Sequence, residues 1–309
     1  MAHSSKPRQS NRRGFRRIRG TTIWNGLGHS GVRVSMDFGV QALNIGRTNA
    51  PEETGRLAGL VESLGYRSWW ASDHVVLPSP RVAASPAEPT ESIIDPLVHL
   101  AFVAAATRRL ELGTGVVILP QRNPVVLAKQ AASLSVLSGG RFRLGVGAGY
   151  LEPELAAVGV PTADRGRRTD EYLDAMSSLW YSTEPSFSGK YVEFAAVDAH
   201  PRPVGLQVYV GGHSRGALRR ALTRAHGWFA IGTVAETAAN LSRLAEVAET
   251  VERPDELGKL SITVAATQPL NPSVVRQYED LGVVQLVIHP ATLPGTIEEA
   301  LQRHAELIG

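Results

Sequence analysis

From residue 36 onward, short apolar runs alternate eight times with segments that have the spacing of amphipathic helices. The runs are almost continuously hydrophobic, which is typical of strands buried on both faces of a parallel sheet. Eight such strands, each followed by a helix, can close into one barrel around a single core. The apolar runs are 38–43, 68–72, 110–118, 142–147, 206–210, 228–231, 260–265 and 283–288.

Start and stop signals for helices lie between the runs. Asp95 and Asn123 each precede a proline, so a capping side chain stands directly before the first helical position. Residues 57–64 carry leucine and valine at i, i+3, i+4 and i+7, and Gly65 then supplies a C-terminal stop. We expect further helices at 170–180, 215–225, 235–250, 272–281 and 295–307.

Two architectures fit this alternation, a barrel and a doubly wound open sheet with a second lobe. The open sheet would favour a G-x-G-x-x-G turn after the first strand, and residues 41–46 lack one. We therefore predict an α/β fold, a (β/α)8 TIM barrel, over residues 36–309. Residues 181–205 are interrupted by prolines and Gly189, so we predict an irregular or hairpin insertion after the fourth strand, over the mouth of the barrel.

The basic charge of the chain is concentrated in residues 1–35, which hold eight Lys or Arg and no acidic residue. The remainder has 24 basic and 29 acidic residues, a formal charge of −5, which argues against a specific nucleic-acid partner. We predict a disordered basic extension. Two alternatives are translation from Met36 and an export signal, although the segment after Arg12-Arg13 is not apolar.

Cysteine and long apolar segments are both missing from the sequence. The first absence excludes disulfides, thiolate metal sites and a cysteine nucleophile. The second excludes a membrane-spanning helix, which needs roughly 18–20 apolar residues. We expect a cytoplasmic protein.

Candidate functional residues are those at the ends of the strands, where barrel enzymes carry their chemistry. His74 follows the second run and could donate a hydrogen bond or transfer a proton, or it could be tied to a loop carbonyl. Glycines at 113, 115, 145, 147 and 149 could admit a flat ligand close to the backbone, or form tight turns. Asp73 and His74 alone are too few for a metal site, so we predict none.

Two later strand ends offer further candidates. Residues 208–215 lead from the fifth run directly into a helix, where backbone N–H groups, Ser214 and Arg215 could bind an anion. An ordinary capped turn is the alternative. His289 follows the eighth run and could reach the mouth, although Pro290 makes a simple loop equally compatible with the sequence.

Taken together and in order, seven segments resemble the bacterial luciferase-like monooxygenase superfamily, in particular its actinobacterial branch of oxidoreductases that use the deazaflavin coenzyme F420. The resemblance covers about residues 36–232 and is looser beyond. The segments are SDHV at 72–75, LGTGVVILPQRNP at 112–124, AKQ at 128–130, LSGGR at 137–141, GVGAGY at 145–150, RGRRTDE at 165–171 and VGG at 210–212.

The resemblance implies a cofactor that lies across the barrel mouth. His74 would be the catalytic residue near its ring, and a non-prolyl cis peptide at Gly115-Val116 would support the ring. Glycine-rich turns of the fourth and fifth strands would contact its tail. The cofactor-binding residues so implied are Asp73, His74, Thr114, Gly115, Val116, Ala148, Gly149, Tyr150, Gly211, Gly212, His213 and Ser214.

The activity implied is hydride transfer between reduced coenzyme F420 and a small organic substrate. A monooxygenase that uses flavin mononucleotide (FMN) is the alternative on the same fold, and a cofactor-binding protein without turnover is the alternative of another class. The resemblance also implies a homodimer. Substrate choice would be set by residues 75–92, expected to be a mobile flap, and by residues 181–205.

Overall fold

The computed structural model describes residues 23–24 and 36–308. Its main sheet is a closed barrel of eight parallel strands, which confirms the predicted fold class. The sheet closes because the first strand pairs in parallel with the last, with Gly39 opposite Val287. The strands are β1 (Asp37–Gln41), β2 (Ser68–Ala71), β3 (Glu111–Thr114), β4 (Val117–Ile118), β5 (Phe142–Gly147), β6 (Phe187–Ser188), β7 (Glu193–Phe194), β8 (Gln207–Gly211), β9 (Gly227–Gly232), β10 (Ser261–Ala266) and β11 (Gln285–Ile288).

Helices surround the barrel at the predicted places. The side chains of Asp95 and Asn123 each accept two backbone N–H hydrogen bonds at the start of a helix, as the Asp-Pro and Asn-Pro pairs predicted. Gly65 has a φ of +86° after the first helix, which confirms the predicted stop. The helices are α1 (Pro51–Ser63), α2 (Pro96–Ala106), α3 (Pro124–Leu137), α4 (Glu152–Ala157), α5 (Arg165–Tyr181), α6 (Arg215–Arg224), α7 (Val234–Ala248), α8 (Pro272–Asp280) and α9 (Ile297–Ala305).

The third barrel strand is divided, where the sequence predicted one run over 110–118. β3 and β4 both pair with β5, and Gly115 and Val116 lie between them. Val116 packs against a cluster inside the barrel that is separate from the larger core between the strands and the helices. The inner cluster consists of Trp70, Tyr209, Phe229, Ala265 and Val287.

The predicted insertion contains an antiparallel hairpin, β6 and β7. Its contacts are with the first turns of the outer helix α5, and its location over the mouth stays a prediction. The carboxylate of Glu171 accepts the backbone N–H groups of residues 190–192, and the hydroxyl of Tyr191 donates to Asp164 over 2.9 Å. The guanidinium of Arg168 stacks 4.4 Å from the Tyr191 ring centroid. The hairpin thus covers the helix layer.

The predicted disordered extension, residues 1–35, lies almost entirely outside the described residues. Ile23 and Trp24 are the exception. The carbonyl of Ile23 accepts the Leu260 N–H over 2.8 Å, and both side chains pack on the core. Over the described ranges, no helix combines the length and the apolarity that crossing a bilayer would require.

Candidate active site

The carboxyl ends of the parallel strands meet at one end of the barrel, and the predicted site residues lie at or directly after the ends of β2, β3, β5 and β8. The Gly115–Val116 peptide bond is cis, as the resemblance implied. Below it, Thr114 is fully buried and joins β3 to β5 through its hydroxyl. Thr114 Oγ1 donates to the Gly145 carbonyl over 2.7 Å and accepts the Gly145 N–H over 2.9 Å. Thr114 is therefore held beneath the mouth.

The glycines of the fourth and fifth barrel strands surround Val116. A Cβ atom at Gly147 would lie 2.8 Å from one Val116 methyl carbon, and one at Gly211 would lie 3.0 Å from the other. A Cβ atom at Gly145 would lie 2.0 Å from the Thr114 carbonyl oxygen. The prediction that these glycines open room for a ligand therefore needs correction at 145 and 147, because the protein itself fills that space. Gly149 has a φ of +78°, which suits glycine.

Asp73 is buried and uses both carboxylate oxygens within the protein. One oxygen accepts the Ile118 N–H over 2.9 Å, and the other accepts Arg122 over 2.7 Å. Burial raises the pKa of Asp73, and the nearby guanidinium opposes this effect. Arg122 also pairs with the helix-capping Asp95 at 2.8 Å. Asp73 thus fixes the segment that follows Gly115 and Val116, and its contact with a cofactor stays a prediction.

His74 lies beside a buried acid that the sequence analysis missed. Its Nδ1 is 2.9 Å from Oε2 of Glu154, and Oε1 of Glu154 accepts the Val75 N–H over 2.7 Å. The His74 side chain is 12% exposed, and that of Glu154 is 0% exposed. An ionised carboxylate can only accept hydrogen bonds, so it pairs with the tautomer of His74 whose proton is on Nδ1. Within the described residues, nothing hydrogen-bonds to Nε2.

His74 lines a cavity of about 280 Å³ that lies between the two ends of the segment 75–92. Val76, Pro89 and Ile93 line it together with Glu91. The ring of Tyr150 stands edge-on to His74, with 6.1 Å between the ring centroids. Burial and the charge of Glu154 raise the pKa of Tyr150, so this phenol is neutral near pH 7. The imidazole thus borders both an aromatic ring and a ligand-sized space.

Across the mouth, the predicted anion site has a more ordinary explanation. Ser214 Oγ accepts the Ala217 N–H over 3.2 Å and caps α6, which was the alternative reading of this turn. Nε2 of His213 accepts the Ile231 N–H over 3.3 Å, which requires a neutral ring. Burial lowers the pKa of His213, in agreement with that contact. The exposed Gly212 has a φ of +101°.

His289 reaches the same end of the barrel. Residues 285, 287 and 289 alternate on one face of the eighth strand, and Val287 belongs to the inner cluster. Nδ1 of His289 is buried and has no hydrogen-bond partner among the described residues, and burial lowers the pKa of the ring. The described ranges hold no group of three or more His, Cys, Asp or Glu residues that could hold a metal ion.

The opposite end of the barrel holds a cavity of about 240 Å³ with charged walls. Oε1 of Glu111 accepts hydrogen bonds from Arg67 over 2.7 Å and from Arg143 over 3.0 Å. Burial raises the pKa of Asp37 at the same end. Arg143 also donates to the Gly140 carbonyl over 3.0 Å. The charged groups at this end thus form ion pairs with one another, which is typical of a network that stabilises the fold.

Sequence comparison gives relatives of known and unknown activity. An uncharacterised protein of Mycobacterium tuberculosis is 36% identical over 177 residues, which are 55% of this chain and 62% of that protein. This chain therefore spans less than two thirds of that relative's length. An F420-dependent glucose-6-phosphate dehydrogenase of Amycolatopsis mediterranei is 31% identical over 157 residues, 50% of this chain and 45% of that protein.

Solved structures with the same fold bind either of the two predicted cofactors. An F420-dependent secondary alcohol dehydrogenase in complex with an F420-acetone adduct has a TM-score of 0.73 at 15% identity, over 89% of this chain and 98% of that chain. A type II Baeyer-Villiger monooxygenase of Pseudomonas putida in complex with FMN has a TM-score of 0.66 at 16% identity, over 89% and 98%. At these identities the likeness concerns the fold. The match to the family of luciferase-like monooxygenases extends over residues 32–273, well beyond half of the sequence, and the chain belongs to that family.

Proposed function

We propose that this protein is an oxidoreductase that binds coenzyme F420 at the barrel mouth and exchanges a hydride between it and a small organic substrate. The observation that carries the proposal is the apolar side chain of Val116, which is partly exposed at the strand ends. Gly147 and Gly211 of the neighbouring strands lie against its methyl groups. An apolar side chain in that position can support one face of a flat ring.

The residues of the mouth fit such a ring with a polar tail. Val116 is partly exposed, and Tyr150 and Ile231 are exposed at the same end of the barrel. Apolar side chains left exposed around a concavity are typical of ligand sites. The proposed contacts of the tail are Ala148, Gly149, Gly211, Gly212, His213 and Ser214. Asp73 and Thr114 would act from below, by holding the segments that contact the ring.

His74 supplies the acid–base group of the proposed reaction. The bound cofactor supplies or accepts the hydride. Hydride transfer to or from a carbonyl or alcohol is accompanied by transfer of a proton at oxygen. Nε2 of His74 is free of protein partners among the described residues and can hold that proton.

The proposal of coenzyme F420 rests on the matching segments and on the 31% identical F420-dependent relative. FMN with a monooxygenase activity is the second candidate, since a structure of this fold binds it. The decisive experiment titrates the purified protein with each cofactor and follows quenching of cofactor fluorescence. Saturable binding of F420 alone supports the proposal. Binding of FMN, with oxygen uptake on reduction, replaces it with the second candidate, and binding without turnover of any substrate favours a binding protein.

Replacing the imidazole tests the role of His74. We expect His74→Ala to bind the cofactor within about threefold of the parent but to turn over roughly 100-fold more slowly, because general acid–base catalysis contributes about that much. His200→Ala, which removes an exposed imidazole from the insertion, is the matched control and should be unchanged. Parent-like turnover of His74→Ala would exclude His74 from the mechanism.

The outer face of α2 supports the proposed homodimer. This helix contains no Asp, Glu, Lys or Arg, and Val98 and Phe102 are 66% and 48% exposed on its outer face. A helix that is apolar all round is usually buried against a partner. A second copy of this chain would cover the face by the symmetry typical of dimers. Sedimentation should show a dimer for the parent protein and a monomer for Phe102→Glu. A monomeric parent would contradict the proposed dimer.

A cytoplasmic location of the protein stays a prediction.

A further inference from the structure

Glu154 occupies an unusual position for an acidic residue. It lies on the short helix α4, directly after the fourth barrel strand, and its side chain is fully buried. Its two oxygens have different partners, Nδ1 of His74 at 2.9 Å and the backbone N–H of Val75 at 2.7 Å. In the described part of the chain, no Lys or Arg forms an ion pair with it.

Burial of a carboxylate without a cationic partner is unfavourable, because the charge loses its hydration. Two hydrogen bonds offset part of this loss. An apolar residue would avoid the loss altogether, as Leu155 does on the same helix. The presence of an acidic side chain at this point is therefore better explained by its contacts with His74 and Val75 than by stability.

The two contacts of Glu154 constrain the ring of His74 and the backbone of Val75. The contact with Nδ1 fixes which ring nitrogen carries the proton and which way the ring faces, so that Nε2 is the nitrogen left for a ligand. The contact with Val75 fixes the first residue of the flap, residues 75–92. The far end of the flap is held separately, by a bridge between Ile45 and Ile93.

We propose that Glu154 is the positioning residue of this site: it holds His74 as the Nδ1–H tautomer with Nε2 toward the substrate cavity, and it ties that orientation to the start of the flap. Its effect on turnover rests on the proposed function. Its effect on the tautomer does not, because the tautomer is a property of the protein alone.

Glu154→Gln distinguishes this role from simple packing. The Val75 N–H needs an acceptor, so the amide oxygen of glutamine turns toward Val75 and its NH2 group faces His74. The amide then donates to Nδ1, and the ring proton moves to Nε2. Glu152→Gln is the matched control, since Glu152 is exposed two positions earlier on the same helix.

The test is 15N NMR of histidine-labelled protein, with His74→Ala used to assign the signal. We expect the Nδ1–H form in the parent and in Glu152→Gln, and the Nε2–H form in Glu154→Gln. An unchanged tautomer in Glu154→Gln overturns the proposal. If that variant does not fold, Glu154→Asp serves instead, and a parent-like Nδ1–H form with weakened protection of the Val75 amide from exchange supports the same role.

Kinetics then separate this inference from the proposed function. With a cofactor bound, we expect kcat of Glu154→Gln to fall about tenfold or more while KM changes little, because the misplaced proton affects the chemical step. A shifted tautomer with no cofactor binding in any variant would leave the role of Glu154 intact and contradict the proposed function. A shifted tautomer with unchanged kcat would overturn the catalytic consequence.

Discussion

The two ends of the barrel contain comparable sets of polar residues, but they use them in different ways. At the amino ends of the strands, Glu111 is shared by Arg67 and Arg143, and the charges are mutually paired. At the carboxyl ends, His74 is held through Nδ1 by Glu154, and its Nε2 has no hydrogen-bond partner in the described part of the chain. Paired groups stabilise a fold, whereas a group held on one side only is prepared for a ligand.

Two histidines repeat this contrast on a smaller scale. At the amino end, Nδ1 of His226 accepts the Val208 N–H over 3.1 Å, and at the carboxyl end Nε2 of His213 accepts the Ile231 N–H over 3.3 Å. Burial lowers the pKa of both rings. Both are thus neutral acceptors for the backbone, but only His213 lies beside the exposed turn of the fifth strand. The same contact, a neutral histidine that accepts a backbone N–H, therefore stabilises the fold at both ends. At the carboxyl end the histidine also lies next to the candidate site.

The largest expected effect concerns the glycines beneath the mouth. Gly145→Ala would place a Cβ atom 2.0 Å from the backbone carbonyl of Thr114. We expect the free energy of unfolding to fall by about 3 kcal/mol or more, because backbone atoms cannot move aside easily. Gly55→Ala, in open space on α1, is the control and should stabilise slightly. Equal stability of both variants in urea unfolding would mean that Gly145 is not needed for packing.

The second prediction concerns the charged end. Glu111→Gln leaves two guanidinium groups facing one neutral amide, and we expect a loss of about 1–2 kcal/mol in the free energy of unfolding. Turnover should stay within about twofold of the parent, since the network lies at the end opposite to the site. Glu88→Gln removes an exposed ion pair with Arg81 and is the control. A large loss of turnover in Glu111→Gln would contradict the conclusion that this network contributes to stability and not to the reaction.

The smallest expected effect is on the pH dependence of stability. The folded-state pKa of His226 is lowered, so the unfolded chain takes up the proton first as the pH falls below about 6.5. The stability that this neutral ring contributes is therefore present above that pH and is lost on acidification. We expect His226→Gln to make the fall in unfolding free energy between pH 7.5 and about 5 less steep. An unchanged slope would show that His226 titrates alike in both states.

Local signals in the sequence determined the barrel. The eight apolar runs, and the caps at Asp95 and Asn123, depend on periodicity and on neighbouring residues, so they can be read without knowing the fold. The position of His74 at a strand end followed in the same way. The cis peptide at Gly115–Val116 came from the family resemblance and is confirmed. The division of the third strand there escaped the hydrophobic pattern, which runs unbroken through it.

Only the tertiary structure decided how these residues are used. Glu152 and Glu154 are two positions apart and equivalent in sequence, yet one is exposed and the other is buried against His74. Glycines that suggested room for a ligand instead admit Val116, and the insertion packs on α5. Each of these outcomes depends on a contact between residues far apart in the chain. Periodicity gives the face on which a side chain lies, but its partner is set by the elements packed opposite.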